Sequence, residues 1–136
     1  MKIIFTNGCF DILHRGHIEL LKYCRSLGGS DLAKNYVIVG INSDKSVRRL
    51  KGKDRPTISQ DDRKALLEEL RCVDEVIVFD EDTPYELIQR IKPDIIVKGG
   101  DYTPTEVIGN DLAEVVIFEI INGYSSTKII EATSNR

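Results

Sequence analysis

Short apolar runs rich in β-branched residues recur along the chain and alternate with stretches of helical periodicity. Lys2–Thr6 reads as a first strand. From Gly16 to Leu27 the pattern turns helical, with Ile18, Leu21 and Cys24 on one apolar face, and Gly28-Gly29 stops it. Tyr36–Ile41 is a continuous apolar run suited to a strand covered on both faces. Ser43 caps a short helix reaching Leu50, and Lys51–Ile58 is a polar loop. Ser59 caps a longer helix, with Asp62 in a capping-box position and Leu66, Leu67 and Leu70 as its core stripe. Glu75–Phe79 is the third strand. Thr83 as cap, Pro84 at the first helical position and Glu86 open a helix to about Lys92. Asp94–Val97 is the fourth strand, broken by Gly99-Gly100, and Val115–Ile120 the fifth. Ser125 or Ser126 opens a last helix.

Strands alternating with helices predict an α/β fold, a Rossmann-like doubly wound sheet of about five parallel strands with right-handed crossovers. Such sheets bind ligands at the carboxyl ends of their strands, near the point where strand order reverses. With 136 residues and no internal repeat or linker, residues 1–136 read as a single domain.

Composition narrows the function. Nineteen basic against 22 acidic residues give a net charge of −3, which argues against a nucleic-acid binder relying on bulk positive charge. A hydrophobic content of 41% is ordinary for a globular protein. No apolar run approaches the roughly 20 residues of a membrane helix, and the N-terminus lacks a signal-peptide pattern. Cys9, Cys24 and Cys72 have no metal-like spacing and read as reduced thiols of a cytoplasmic protein.

The strongest chemical signal is Thr6-Asn7-Gly8-Cys9-Phe10-Asp11-Ile12-Leu13-His14-Arg15-Gly16-His17, between the first strand and the first helix. A helix N-terminus presents unpaired N–H groups and the positive end of a dipole, and so suits an anion. Gly8 and Gly16 allow close backbone approach. His14 and His17 can add donors to phosphate oxygens; read alone they are more simply surface histidines capping a helix, but their place at a strand's carboxyl end with Gly8 and Gly16 favours the anion site. The glycine spacing fits neither a Walker A loop nor a dinucleotide fingerprint. No zinc site is expected, since the two histidines lack a third ligand at suitable spacing.

Thr6–His17 resembles the signature of the cytidylyltransferase-like nucleotidyltransferases, whose hallmark is His-x-Gly-His after the first strand. The resemblance extends through Asn42-Ser43-Asp44, Arg48–Gly52 with Arg55-Pro56, Glu81–Pro84 and Val97–Tyr102, and is greatest to the D-glycero-β-D-manno-heptose 1-phosphate adenylyltransferases of lipopolysaccharide-core synthesis. That activity occurs fused behind a sugar kinase or alone, and a chain of this length would be the stand-alone form. The resemblance implies that His14 and His17 contact the nucleotide phosphates. Thr6, Gly8, Cys9, Phe10 and Gly16 would surround the nucleotide, together with Lys98, Gly99 and Asp101. The second family signature, a Ser/Thr-rich helix start, is matched by Tyr124-Ser125-Ser126-Thr127.

Lys51 stands in a basic cluster with Arg48, Arg49, Lys53 and Arg55 that is either a solvated face or a phosphate clamp. Arg63 sits in a first helical turn, where a cation opposes the dipole. Its Arg counterpart in the related glycerol-phosphate cytidylyltransferases belongs to the active site; a surface ion pair with Asp61, Asp62 or Glu68 is the plainer alternative. Arg71 also has a counterpart in that branch. The cytidylyl branch carries an Arg-Thr pair where Ile120-Ile121-Asn122 stands here, which favours ATP, and Ile108–Glu114 is shorter than in the heptose enzymes.

The expected partners are therefore ATP and a sugar 1-phosphate, with Mg²⁺ carried on the nucleotide phosphates and no protein-held metal, in a homodimer that contacts neither nucleic acid nor membrane. Glycerol-3-phosphate cytidylyltransferase and FAD synthetase are alternatives in the same superfamily. A nucleotide sensor without turnover is the alternative of another class. Cys9 inside the phosphate turn would make the protein sensitive to thiol reagents.

Overall fold

The computed structural model describes residues 1–28, 35–100 and 102–119. Among them five parallel strands form one sheet: β1 (Lys2–Gly8), β2 (Asn35–Asn42), β3 (Glu75–Phe79), β4 (Ile95–Gly99) and β5 (Glu114–Phe118). Their order is β3-β2-β1-β4-β5, so the winding reverses between β1 and β4. Helices α1 (Arg15–Ser26), α2 (Asp44–Lys51), α3 (Gln60–Glu68) and α4 (Tyr85–Ile91) fill the crossovers. The doubly wound parallel sheet read from the sequence is present.

Alternation along the strands divides the core into two layers. Ile4, Val37, Val39, Ile41, Val76, Ile95 and Val97 pack on the side of α1 and α3, with Leu21, Cys24 and Leu67. Phe5, Ile38, Phe79 and Ile96 pack on the other side, with Leu87 and Ile88 of α4. Gly40 leaves room for the layer beneath α4: a Cβ there would lie 2.9 Å from the Phe5 ring.

Several boundaries shift by one to three residues. Ser59 does cap α3, its Oγ accepting from the Asp62 N–H at 3.4 Å. Leu66 does not join the core stripe and is 53% exposed. In α3 the inward face carries Arg63 and Leu67, one turn apart, and Leu66 falls beside it. Pro84, not Thr83, occupies the N-cap of α4, and no side chain caps that helix. The expected last helix lies outside the described residues.

Candidate active site

The carboxyl ends of β1, β2 and β4 open onto a cleft of about 340 Å³, at the reversal point of the sheet. Asn7, Gly8 and Cys9 line it from the end of β1, Asn42 from β2, and Lys98 from β4. Leu50 and Lys51 enter from the end of α2, Asp82–Pro84 from the loop before α4, and Tyr102 with Glu106–Ile108 from the connection to β5. Asn7 lies at the carboxyl end of β1, a signal the sequence offers; Leu50 lies near the end of α2, and Glu106 and Ile108 lie in the β4–β5 connection, where no such signal singles them out.

His14 and His17 stand at the start of α1, on the same edge of the sheet. His14 is the N-cap residue: the Gly16 N–H donates to His14 Nδ1 at 3.1 Å. The His14 N–H in turn donates to His17 Nδ1 at 3.2 Å. The rings stack with centroids 3.7 Å apart, and His17 also lies 4.9 Å from the Phe10 ring. Capping and a role toward an anion are therefore compatible. An Nδ1 that accepts a hydrogen bond carries no proton, so the neutral ring is protonated at Nε2. Burial pushes the His17 pKa down to about 4, with His14 adding a smaller effect, and burial lowers His14 as well. Both rings are neutral Nε2–H donors at pH 7.

Phe10 is buried, its ring packed against Gly8 and His17, so it shapes the turn from below. Thr6 is likewise buried within β1. Gly16 serves through its N–H, as the donor to His14. Cys9 Sγ reaches Asn42 Oδ1 at 3.8 Å. Burial raises the Cys9 pKa, outweighing Lys51, Arg63 and Arg55, so the geometry speaks against a reactive thiolate. Asp101 and Tyr124–Thr127 lie outside the described residues.

Arg63 departs from the sequence expectation. It is 1% exposed and turned away from the cleft. Its Nε donates to the Ile58 carbonyl at 2.9 Å, and Nη1 to the carbonyls of Cys9 and Asn42, each at 2.7 Å. Nη2 pairs with Asp44 at 2.9 Å, rather than with Asp61, Asp62 or Glu68. Arg63 thus ties the turns after β1 and β2 to the start of α3, with each of its guanidinium nitrogens engaged within the protein.

Asp11 does parallel work. Its buried carboxylate accepts from the N–H groups of Thr57 and Ile58, each at 2.8 Å at the shortest, and from Arg55 Nε at 3.0 Å. Burial alone would raise its pKa, but these donors outweigh it and hold the carboxyl below its usual value. Asp11 thereby fixes the loop that follows α2.

Lys51 and Lys98 differ from both. Neither pairs with a carboxylate among the described residues. Lys98 Nζ lies 5.4 Å from the Tyr102 ring centroid, and burial, helped by Lys51, lowers its pKa. Gly99, the last residue of β4, is half-buried beside it.

Among the described residues no group of three His, Cys, Asp or Glu side chains could hold a metal ion. Of the cleft carboxylates, Asp82 pairs with Arg49 at 3.0 Å, and Glu106 uses one oxygen, Oε1, to accept from Thr103 at 2.7 Å. These residues do not form a cage for a cation. No helix among the described residues is long and apolar enough to cross a membrane.

Known proteins resemble this chain. The chain is 54% identical over 131 residues to the bifunctional protein HldE of Helicobacter pylori (strain P12), covering 96% of this chain and 27% of that protein. It is 50% identical over 139 residues to the bifunctional protein HldE of Syntrophotalea carbinolica, covering 98% and 27%. The chain thus spans about a quarter of the length of these curated relatives. The crystal structure of the lipopolysaccharide core biosynthesis protein from Thermoplasma volcanium superposes with a TM-score of 0.70 at 32% identity, covering 92% of this chain and 99% of that one. The cytidylyltransferase-like family matches residues 5–132, and the chain belongs to that family.

Proposed function

We propose that this nucleotidyltransferase transfers AMP from ATP to a sugar 1-phosphate, with heptose 1-phosphate as acceptor, giving an ADP-sugar and pyrophosphate. The observation that carries the reading is the pair of stacked histidines that cap the start of α1, on the same edge of the sheet as a cleft lined by Lys51 and Lys98. The acceptor and ATP rest on the sequence resemblance and on the likeness to HldE and the lipopolysaccharide core biosynthesis protein.

An oxygen of the sugar phosphate attacks the α-phosphorus of ATP. The new P–O bond forms as the bond to the β-bridging oxygen breaks, and the electron pair leaves with pyrophosphate. The attacking phosphate is already ionised at neutral pH, so no general base is required. Catalysis is positioning and charge stabilisation. Neutral Nε2–H groups of His14 and His17 donate to α- and β-phosphate oxygens as charge moves to the leaving group. Lys51 neutralises substrate phosphate. Arg63 contributes by holding the Cys9 and Asn42 turns in place, not by contact. Thr127 or Ser126 is assigned the triphosphate end. Mg²⁺ would be carried on the phosphates of ATP and would offset their charge there. A homodimer in the cytoplasm follows from the same resemblance.

The test is pyrophosphate release with ATP and Mg²⁺, offered heptose 1-phosphate, glycerol 3-phosphate or FMN in turn. Release with heptose 1-phosphate, reduced at least about a hundredfold by His17→Ala, is expected. Release with another acceptor, or with CTP in place of ATP, overturns the substrate assignment. Nucleotide binding without release from any pair points to a sensor.

A further inference from the structure

The cleft is chemically two-sided. Lys51 and Lys98 face it from α2 and β4 without a carboxylate partner among the described residues, while Glu106 faces it from the β4–β5 connection. Glu106 Oε1 accepts from the Thr103 hydroxyl at 2.7 Å and from the Thr103 N–H at 3.4 Å, which fixes the carboxylate on its short 3₁₀ turn, Pro104–Glu106. Thr83 contributes a hydroxyl to the same wall. Leu50 and Tyr102, 50% and 45% exposed, bound the space with apolar surface.

We propose that this cleft is the acceptor subsite, in which Lys51 and Lys98 hold the acceptor's phosphate while Glu106 and Thr83 read its hydroxyl groups. The proposal rests on the reading of the protein as a sugar-phosphate nucleotidyltransferase and names the residues that would give it specificity.

Charge supports the orientation. A fixed carboxylate accepts hydrogen bonds from hydroxyls and repels phosphate, so the phosphate turns toward the lysines and the polyol toward Glu106. Two phosphates must come into contact for the reaction to occur, and a pair of lysines at their meeting point offsets that repulsion. Leu50 and Tyr102 offer flat apolar surface to the C–H face of a sugar ring. A cleft of about 340 Å³ has room for a sugar phosphate but lies at the small end of ligand sites.

Calorimetric titration separates the parts. The full chain is titrated with heptose 1-phosphate, with inorganic phosphate and with ATP. Wild type is expected to bind heptose 1-phosphate more tightly than inorganic phosphate. Glu106→Gln should weaken the sugar phosphate about tenfold while leaving inorganic phosphate and ATP affinities unchanged. Thr83→Val should act in the same direction. Lys98→Met should weaken both heptose 1-phosphate and inorganic phosphate. Thr103→Val is the control: it removes the support of the Glu106 carboxylate but keeps the carboxylate itself, and should weaken the sugar phosphate less than Glu106→Gln does.

Equal losses for sugar phosphate and inorganic phosphate in Glu106→Gln, or none for either, overturn the subsite while leaving the proposed reaction standing. If Thr103→Val matches Glu106→Gln, Glu106 acts through the turn, and its direct reading of hydroxyls is overturned. A wild type that binds ATP but no sugar phosphate overturns the proposed acceptor itself.

Discussion

Two polar regions meet at the turn after β1, and they use their hydrogen-bonding groups in opposite ways. Asp11 and Arg63 are each 1% exposed, and their polar groups are satisfied within the protein by Arg55, Thr57, Ile58, Cys9, Asn42 and Asp44. His14 and His17 use Nδ1 for capping, which places the ring proton on Nε2, and Lys51 and Lys98 pair with no carboxylate among the described residues. The first region is a brace, and the second keeps the groups to which the proposed reaction assigns its chemistry. Charge type alone does not separate them: Arg63 and Lys51 are both cations beside the same turn, yet only Lys51 faces the cleft.

The contrast can be broken most severely at Asp11. Asp11→Ala leaves Arg55 and two backbone N–H groups without their acceptor, and unfolding in urea should show a loss of about 3–5 kcal/mol. Next comes His14→Asn. Asparagine is a favoured N-cap, so the helix start should keep its cap to within about 1 kcal/mol. The Nε2 donor is gone, however, and pyrophosphate release should fall about a hundred- to thousandfold. Parallel losses of stability and turnover would contradict the division between brace and chemistry. Arg63→Lys should cost about 2 kcal/mol in urea unfolding, because an ammonium cannot reach four acceptors held by a planar fork. Retained stability with lost phosphate binding would return Arg63 to the substrate.

A further effect is read in the pH dependence of stability. The unfolded chain protonates His17 near 6.5, whereas the folded chain does so only at about 4. The unfolded state therefore binds the extra proton across that window, and stability falls as pH drops from about 6.5 to 4. His17→Gln should flatten this slope. Asp11, with a lowered folded pKa, adds stability that is lost only at lower pH, as the solution falls past its usual 3.8 and through the folded value. A slope that persists unchanged in His17→Gln would show that another group carries it.

Much of this was legible in the chain. β-branched runs gave all five strands, and the buried central β2 reads as a continuous apolar stretch because both its faces are covered. The histidine turn stood out by residue type and position. The roles of Asp11 and Arg63 did not, because a side chain's partners come from segments 46 and 54 residues away, Thr57 and Cys9 respectively. Leu66 was misplaced because three leucines at helical spacing satisfy more than one face of a short helix. Glu106 and Thr83 were missed because only the folded sheet brings the loops after β3 and β4 to one cleft.

The most direct measurement is the tautomer and protonation state of the two histidines by ¹⁵N NMR at pH 7. Both rings are predicted neutral, with Nδ1 unprotonated and Nε2 carrying hydrogen. An imidazolium, or a proton on either Nδ1, would contradict the capped arrangement and with it the assignment of His14 and His17 as Nε2 donors to phosphate.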